Sequence, residues 1–204
     1  MRLVKSYVDE ICSYIQGKDV LDIGCCSSTS KNLLKRHFQY KKAAKSIIGV
    51  DYNKKLIAEA KSRFNYVVHY CDFTSKKNVR NIIQQFGKFS TIVCTDVIEH
   101  IGNMTNFLDN INLIMTSDGV LHLTTPNARS PRWFYLTYKK QFKINLDHVC
   151  WLDITTLKSL LKRSQFEIVE EMYHAQENKV VNVLKLEEYP WMARRLYVTV
   201  KKVI

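Results

Sequence analysis

Short apolar runs alternate with amphipathic segments along most of this 204-residue chain. The alternation predicts strands and helices in turn. Residues 3–16 place Leu3, Tyr7, Val8, Ile11 and Ile15 at helical spacing, with Gly17 as a stop, which predicts a lead-in helix. The stretch Val20-Leu21-Asp22-Ile23-Gly24-Cys25-Cys26-Ser27-Ser28 then closes an apolar run with an acid, a glycine and small residues. It reads as a buried strand over 19–24 that enters a tight turn. A helical pattern over 30–38 follows, so the turn should aim backbone N–H groups at a polar or anionic ligand.

The rhythm then repeats. Strands are predicted over 46–51, 66–73, 89–95 and 119–125, the last stopped by Pro126, with helices over 54–63, 76–86 and 103–115. Strand–helix units recurring about every 25 residues predict an α/β fold, a parallel sheet with helices on both faces. Beyond Pro126 the pattern breaks. Residues 128–147 interleave Arg129, Arg132, Lys139, Lys140 and Lys143 with Trp133, Phe134, Tyr135, Tyr138 and Phe142, without an acid before Asp147. Such an insert beyond a strand's carboxyl end is a candidate lid, and its aromatics could equally pack on the sheet. A helix over 154–161 and strands over 166–172 and 196–203 complete a chain that reads as one domain, 1–204.

Charge and cysteine usage narrow the setting. Lys and Arg number 31 against 19 Asp and Glu, a formal net charge of +12. That excess favours anionic partners, such as an anionic surface or weakly bound nucleic acid, or is simply a solvated basic face. The six cysteines show no paired CxxC spacing and sit mostly in apolar runs, which predicts reduced thiols in a cytoplasmic protein. Charges punctuate the first ten residues, unlike a signal peptide, and no apolar run approaches the roughly 20 residues of a membrane span.

Three acids stand at strand ends. Asp51 closes the second strand at a distance from the first turn that suits a ribose diol, although it could instead cap the following helix. Asp72, with Phe73 beside it, can accept from an adenine amino group while the ring packs on the base. Asp96, Glu99 and His100 stand at i, i+3 and i+4, so one helical turn would bring them to a common face.

Together, Leu21-Asp22-Ile23-Gly24-Cys25, Asp51, Asp72, Asp96-Val97-Ile98-Glu99-His100-Ile101, Leu123-Thr124-Thr125-Pro126-Asn127 and Asp147-His148-Val149-Cys150-Trp151-Leu152 resemble class I S-adenosylmethionine-dependent methyltransferases. The branch with the ubiquinone-pathway O-methyltransferases is the most similar. The resemblance implies a Rossmann-like sheet of seven strands, mostly parallel with an antiparallel last strand. It implies S-adenosylmethionine as cofactor, with its methionine portion at Asp22, Gly24 and Cys25, its ribose at Asp51 and Tyr52, and its adenine at Asp72 and Phe73. Thr95 and Asp96 would lie near the transferred methyl. One departure is plain. The family's G-x-G-x-G turn reads here Gly24-Cys25-Cys26-Ser27-Ser28, so Cys26 and Ser28 add a Cβ where glycine permits positive φ and close approach.

In the ubiquinone-pathway and small-RNA 2′-O-methyltransferases an acidic–His set similar to Asp96, Glu99, His100 and His148 resembles a metal site. Here a divalent cation could orient two vicinal oxygens. Without a metal, His100 or His148 is a candidate general base, with Asp96 beside the reacting atoms. Alternatively, His148 is structural and His100 lines the cofactor pocket. Three functions compete on this sequence. One is O-methylation of a small-molecule, glycan or lipid-linked hydroxyl; another is RNA 2′-O-methylation, which the basic aromatic insert would serve; the third is a non-catalytic binding protein that has kept the fold.

Overall fold

The computed structural model describes residues 2–27, 32–141, 145, 147–174 and 189–203. Its centre is an eight-stranded sheet of order β1-β7-β8-β6-β5-β2-β3-β4. The strands are β1 (Arg2–Val4), β2 (Asp19–Ile23), β3 (Ser46–Asp51), β4 (His69–Tyr70), β5 (Phe89–Thr95), β6 (Met115–Pro126), β7 (Phe166–His174) and β8 (Arg195–Lys202). The helices are α1 (Tyr7–Ile15), α2 (Lys35–Ala43), α3 (Lys54–Phe64), α4 (Lys76–Phe86), α5 (Met104–Ile114), α6 (Pro131–Tyr138) and α7 (Ile154–Arg163). β2, β3, β4, β5 and β6 pair in parallel, as does β1 with β7, whereas β8 runs antiparallel to both β6 and β7. No helix among the described residues is long and apolar enough to cross a membrane.

The alternation of β5 sets the two layers. Ile92 and Cys94 face a core shared with Phe107, Leu108 and Ile111 of α5 and Leu157 and Leu161 of α7. Val93, between them, faces Ile11 and Ile15 of α1 and Tyr40 of α2. A strand buried on both faces reads as a continuous apolar run, which is why β2, β3 and β5 stood out in the sequence. Each fully buried Ile or Leu here contributes roughly 1.5–3 kcal/mol relative to exposure.

Four expectations are corrected. The sheet has eight strands, not seven, because Leu3 belongs to β1, paired with Tyr173, instead of opening a helix. Ser6 caps α1 by accepting from the Asp9 amide, so the helix starts after it. α2 starts at Lys35, since Leu33 and Leu34 are buried in a non-helical turn ahead of it; Ser30, where that helix was expected to begin, lies outside the described residues. Finally, the strand expected over 66–73 shrinks to His69–Tyr70: Val67 is 60% exposed, and the Tyr66 hydroxyl turns inward to His37.

Candidate functional site

The carboxyl ends of β2, β3, β5 and β6 meet along one edge of the sheet. Because β8 is antiparallel, its first residue lies at that same edge, Arg195 opposite Pro126. Two adjoining cavities open there. A smaller one of about 260 Å³ is walled by Cys71, Asp72, Phe73, Ile101 and Phe107, among others. A larger one of about 690 Å³ extends to Arg36, Glu99, Trp133, His148 and Arg195. Gly24, Asp51, Tyr52, Val97, His100 and Ile101 line both, so they form one continuous crevice. Its position is where open α/β sheets bind ligands.

Gly24 makes the first turn possible. Its φ is +70°, and a Cβ added there would stand 2.4 Å from Val97 Cγ2. Cys26 needs no such freedom, because its φ is not positive. Its amide donates to Asp51 Oδ2 at 3.1 Å, while the Asn53 amide donates to Oδ1 at 2.9 Å. Burial raises the Asp51 carboxyl above its ordinary range, against the lowering effect of those two amides. Each oxygen still has a lone pair for a further donor. Ser28 lies outside the described residues.

Asp22 is placed differently from what its motif implied. It lies below the turn, 2% exposed, with Oδ2 2.8 Å from His37 Nδ1, and it lines neither cavity. The His37 Nε2 is in turn 2.9 Å from the Tyr66 hydroxyl. Gly49 leaves the room for this buried chain, since a Cβ there would come within 2.8 Å of His37 Cε1 and 2.9 Å of Cys25 Sγ. Asp22 thus supports the turn from beneath. Cys25 and Thr95 are likewise buried outside the cavity walls, and the bond to Cys26 together with burial pushes the Cys25 thiol well up. Asp72 does line the smaller cavity, its Oδ1 accepting from the amide and hydroxyl of Thr74 at 2.8 and 2.7 Å. Phe73 packs edge-on against Phe107 behind it.

The chain Asp96 to His100 does not form the expected helical turn. Asp96 takes φ +55° and a 3-10 turn spans Ile98–His100, which sends the side chains in different directions. Asp96 accepts from Arg36 Nη1 at 2.7 Å and from Arg195 Nε and Nη2, both at 2.8 Å. Burial works to raise its carboxyl, but Arg195 and Arg36 outweigh it and hold the group below the usual range. Glu99, His100 and His148, by contrast, each offer a ligand atom within 4.8 Å of the others. The Glu99 Oε2 accepts from Thr125 Oγ1 at 3.0 Å, whereas Oε1 is buried with no hydrogen-bond partner. Burial, then the nearby Asp96 charge, pushes the Glu99 carboxyl up to about 8. The His100 Nδ1 donates to the Asp147 carbonyl at 3.0 Å, which leaves its Nε2 as the acceptor. Burial and His100 lower the His148 imidazole, so that it is neutral near pH 7.

This crevice, an acid at the β3 end and a Glu–His–His group beside it, has counterparts in known proteins. A family profile described as a methyltransferase domain matches residues 3–171. The chain belongs to this methyltransferase family. Its architecture is the class I, S-adenosylmethionine-dependent one. The ubiquinone biosynthesis O-methyltransferase of Coxiella burnetii is 22% identical over 132 residues, 65% of this chain and 53% of that protein. A probable S-adenosylmethionine-dependent methyltransferase of Mycolicibacterium smegmatis is 23% identical over 158 residues, 76% of this chain and 54% of that protein. The chain spans about half the length of the curated relatives it matches. A solved methyltransferase from Archaeoglobus fulgidus superposes with a TM-score of 0.71 at 16% identity, over 96% of this chain and 91% of that one. The magnesium protoporphyrin IX methyltransferase of Synechocystis, solved with bound SAH, gives 0.62 at 14% identity, over 96% and 81%.

The methyltransferase crevice fits its cofactor class. An apolar slot edged by Asp72, a carboxylate at Asp51 and a glycine turn are the donor and acceptor types that an adenosine and its methionine tail require. Glu99, His100 and His148 also fit a divalent cation, since a Glu99 carboxylate oxygen lies within 4.8 Å of both imidazole ligand atoms and Oε1 is buried without a hydrogen-bond partner. Sequence reasoning missed two contributors: His37 gave no signal within a basic helix, and Arg195 meets Asp96 across 99 residues of chain. Trp133, named in the candidate lid, meets Trp151 edge-on at 4.6 Å.

Proposed function

We propose that this methyltransferase moves the methyl group of S-adenosylmethionine onto a hydroxyl of a small-molecule, glycan or lipid-linked acceptor held in the larger cavity. The observation that carries the reading is the Glu99–His100–His148 group on that cavity's wall. The cofactor supplies a methyl on a positively charged sulfur, a good leaving group, so the protein has to align the acceptor and remove one proton. Asp51 would accept from the ribose hydroxyls, and Phe73 and Phe107 would flank the adenine. Without a metal, His148, neutral near pH 7, can take the hydroxyl proton. A divalent cation bound by Glu99, His100 and His148 would orient two vicinal oxygens and lower the pKa of one.

RNA is the second reading, favoured by Phe134 and Tyr138, 79% and 76% exposed beside Lys139 and Lys140. All six cysteines are free, which supports a reducing setting such as the cytoplasm. Incubating the protein with methyl-labelled S-adenosylmethionine and a cell extract, then identifying the labelled product, tests the function. A labelled small molecule or lipid is expected. Labelled RNA would promote the second reading, and no labelled product from a protein that binds the cofactor would sink both. Glu99→Gln should cost about tenfold or more in divalent-cation affinity, since loss of even an outer-shell partner of a metal ligand costs about 10–100-fold; an unchanged affinity would leave the metal without its site.

A further inference from the structure

Asp96 has two guanidinium partners and one negative charge. Arg36 and Arg195 both bind it, with side chains only 28% and 16% exposed. Tyr7 fixes the pair further, its hydroxyl accepting from Arg36 at 3.1 Å and its ring lying 4.6 Å from the Arg195 guanidinium. The trio therefore carries one surplus positive charge in a rigid, mostly buried setting. Arg194 lines the same cavity wall. The other acids on that wall engage other partners: Asp51 accepts from the amides of Cys26 and Asn53, Glu99 accepts from Thr125, and Asp147 is exposed to solvent.

A buried surplus charge is costly unless a counter-ion completes it, and a guanidinium suits a planar or tetrahedral oxyanion. We propose that the arginine wall at the start of β8 is a subsite for an anionic group on the methyl acceptor. The acceptor then carries a carboxylate or phosphate as well as the hydroxyl that is methylated. This rests on the methyltransferase reading above. The cofactor's own carboxylate is the competing source of the anion.

The test uses the protein saturated with S-adenosylhomocysteine, titrated calorimetrically with benzoate, phenyl phosphate and neutral benzamide. At least one anion should bind about tenfold or more tightly than benzamide, in line with a charge-assisted bond. Arg194→Gln should erase that preference and Arg194→Lys should restore part of it, while S-adenosylmethionine affinity in Arg194→Gln changes less than about twofold. Equal binding of all three probes overturns the proposal. So does a parallel loss of S-adenosylmethionine affinity in Arg194→Gln, which would give the arginines to the cofactor's carboxylate. If S-adenosylhomocysteine itself fails to bind, the methyltransferase function falls and this inference with it; if it binds and no anion is preferred, this inference falls alone.

Discussion

Gly24 and Cys26 stand two positions apart in the turn proposed to hold the cofactor and differ in what their backbones require. At Gly24 both a positive φ and the 2.4 Å approach of Val97 exclude a side chain, so Gly24→Ala should weaken S-adenosylmethionine binding about tenfold or more by calorimetry. Cys26 has an ordinary φ, so restoring the family's glycine with Cys26→Gly should change affinity by less than about threefold. Cys26 therefore gives no support to a protein that has lost its cofactor. Asp51→Ala should cost about 1.5–3 kcal/mol of cofactor affinity, the range for hydrogen bonds to a charged group, and an unchanged affinity would reduce Asp51 to a turn former. His122, buried in the sheet, makes a different prediction. Burial lowers its imidazole to about 3, while the unfolded chain keeps the ordinary value near 6.5. Its contribution is thus fully present above 6.5 and is lost as pH falls towards 3, because the unfolded state takes the proton first. Urea unfolding at pH 7 and pH 4 should show stability falling with pH, and His122→Gln should flatten that slope by up to one proton.

At the scale of elements, α6 stands apart from the rest. None of its described residues is buried, and it is held through Trp133, whose ring meets Trp151 and whose Nε1 donates to the Asn127 carbonyl at 2.9 Å. Few buried contacts mean low local stability, so its amides should exchange quickly in the free protein and slow when cofactor and acceptor bind. Trp133→Ala should quicken them further, whereas uniform protection in the free protein would make α6 part of the core. Part of the expected lid, residues 142–144 and 146, lies outside the described residues. How well the sequence announced an element followed its length and its burial. β2, β3 and β5 were legible because strands buried on both faces leave unbroken apolar runs ended by Asp22-Ile23-Gly24, Asp51 and Asp96. β1 was not, since three residues cannot show a period and Leu3 happens to stand four before Tyr7. Leu33 and Leu34 extended the helical pattern of α2 although they pack in a turn. In the crevice, Gly24, Asp51 and the Glu99, His100 and His148 group carried local signals. The Asp96–Arg195 and Asp22–His37 contacts did not, because strand order brings Arg195 to Asp96 and the packing of α2 against β2 brings His37 to Asp22.

Over the whole molecule the +12 charge is divided between two environments. Arg36 and Arg195 are drawn into the crevice, whereas Lys139, Lys140 and many other lysines are solvated. Solvated lysines attract RNA by releasing counter-ions, so binding should be weak and should fall with salt at a log–log slope of roughly −0.7 per phosphate contacted on a single strand. Filter binding across salt concentrations checks this, and a specific, salt-resistant complex would contradict it. The sheet order also divides the crevice between two lineages of sequence change. On the proposed reading the cofactor's half would hang on β2, β3 and β4, while β6, β8 and α6 would furnish the wall that faces the acceptor. A library randomised at Arg132, Trp133, Arg194 and their neighbours should therefore yield new acceptor preferences from parents that still hold the methyl donor. Such a molecule can diversify by rewriting one margin of its sheet, with its ancestral ligand as a fixed inheritance.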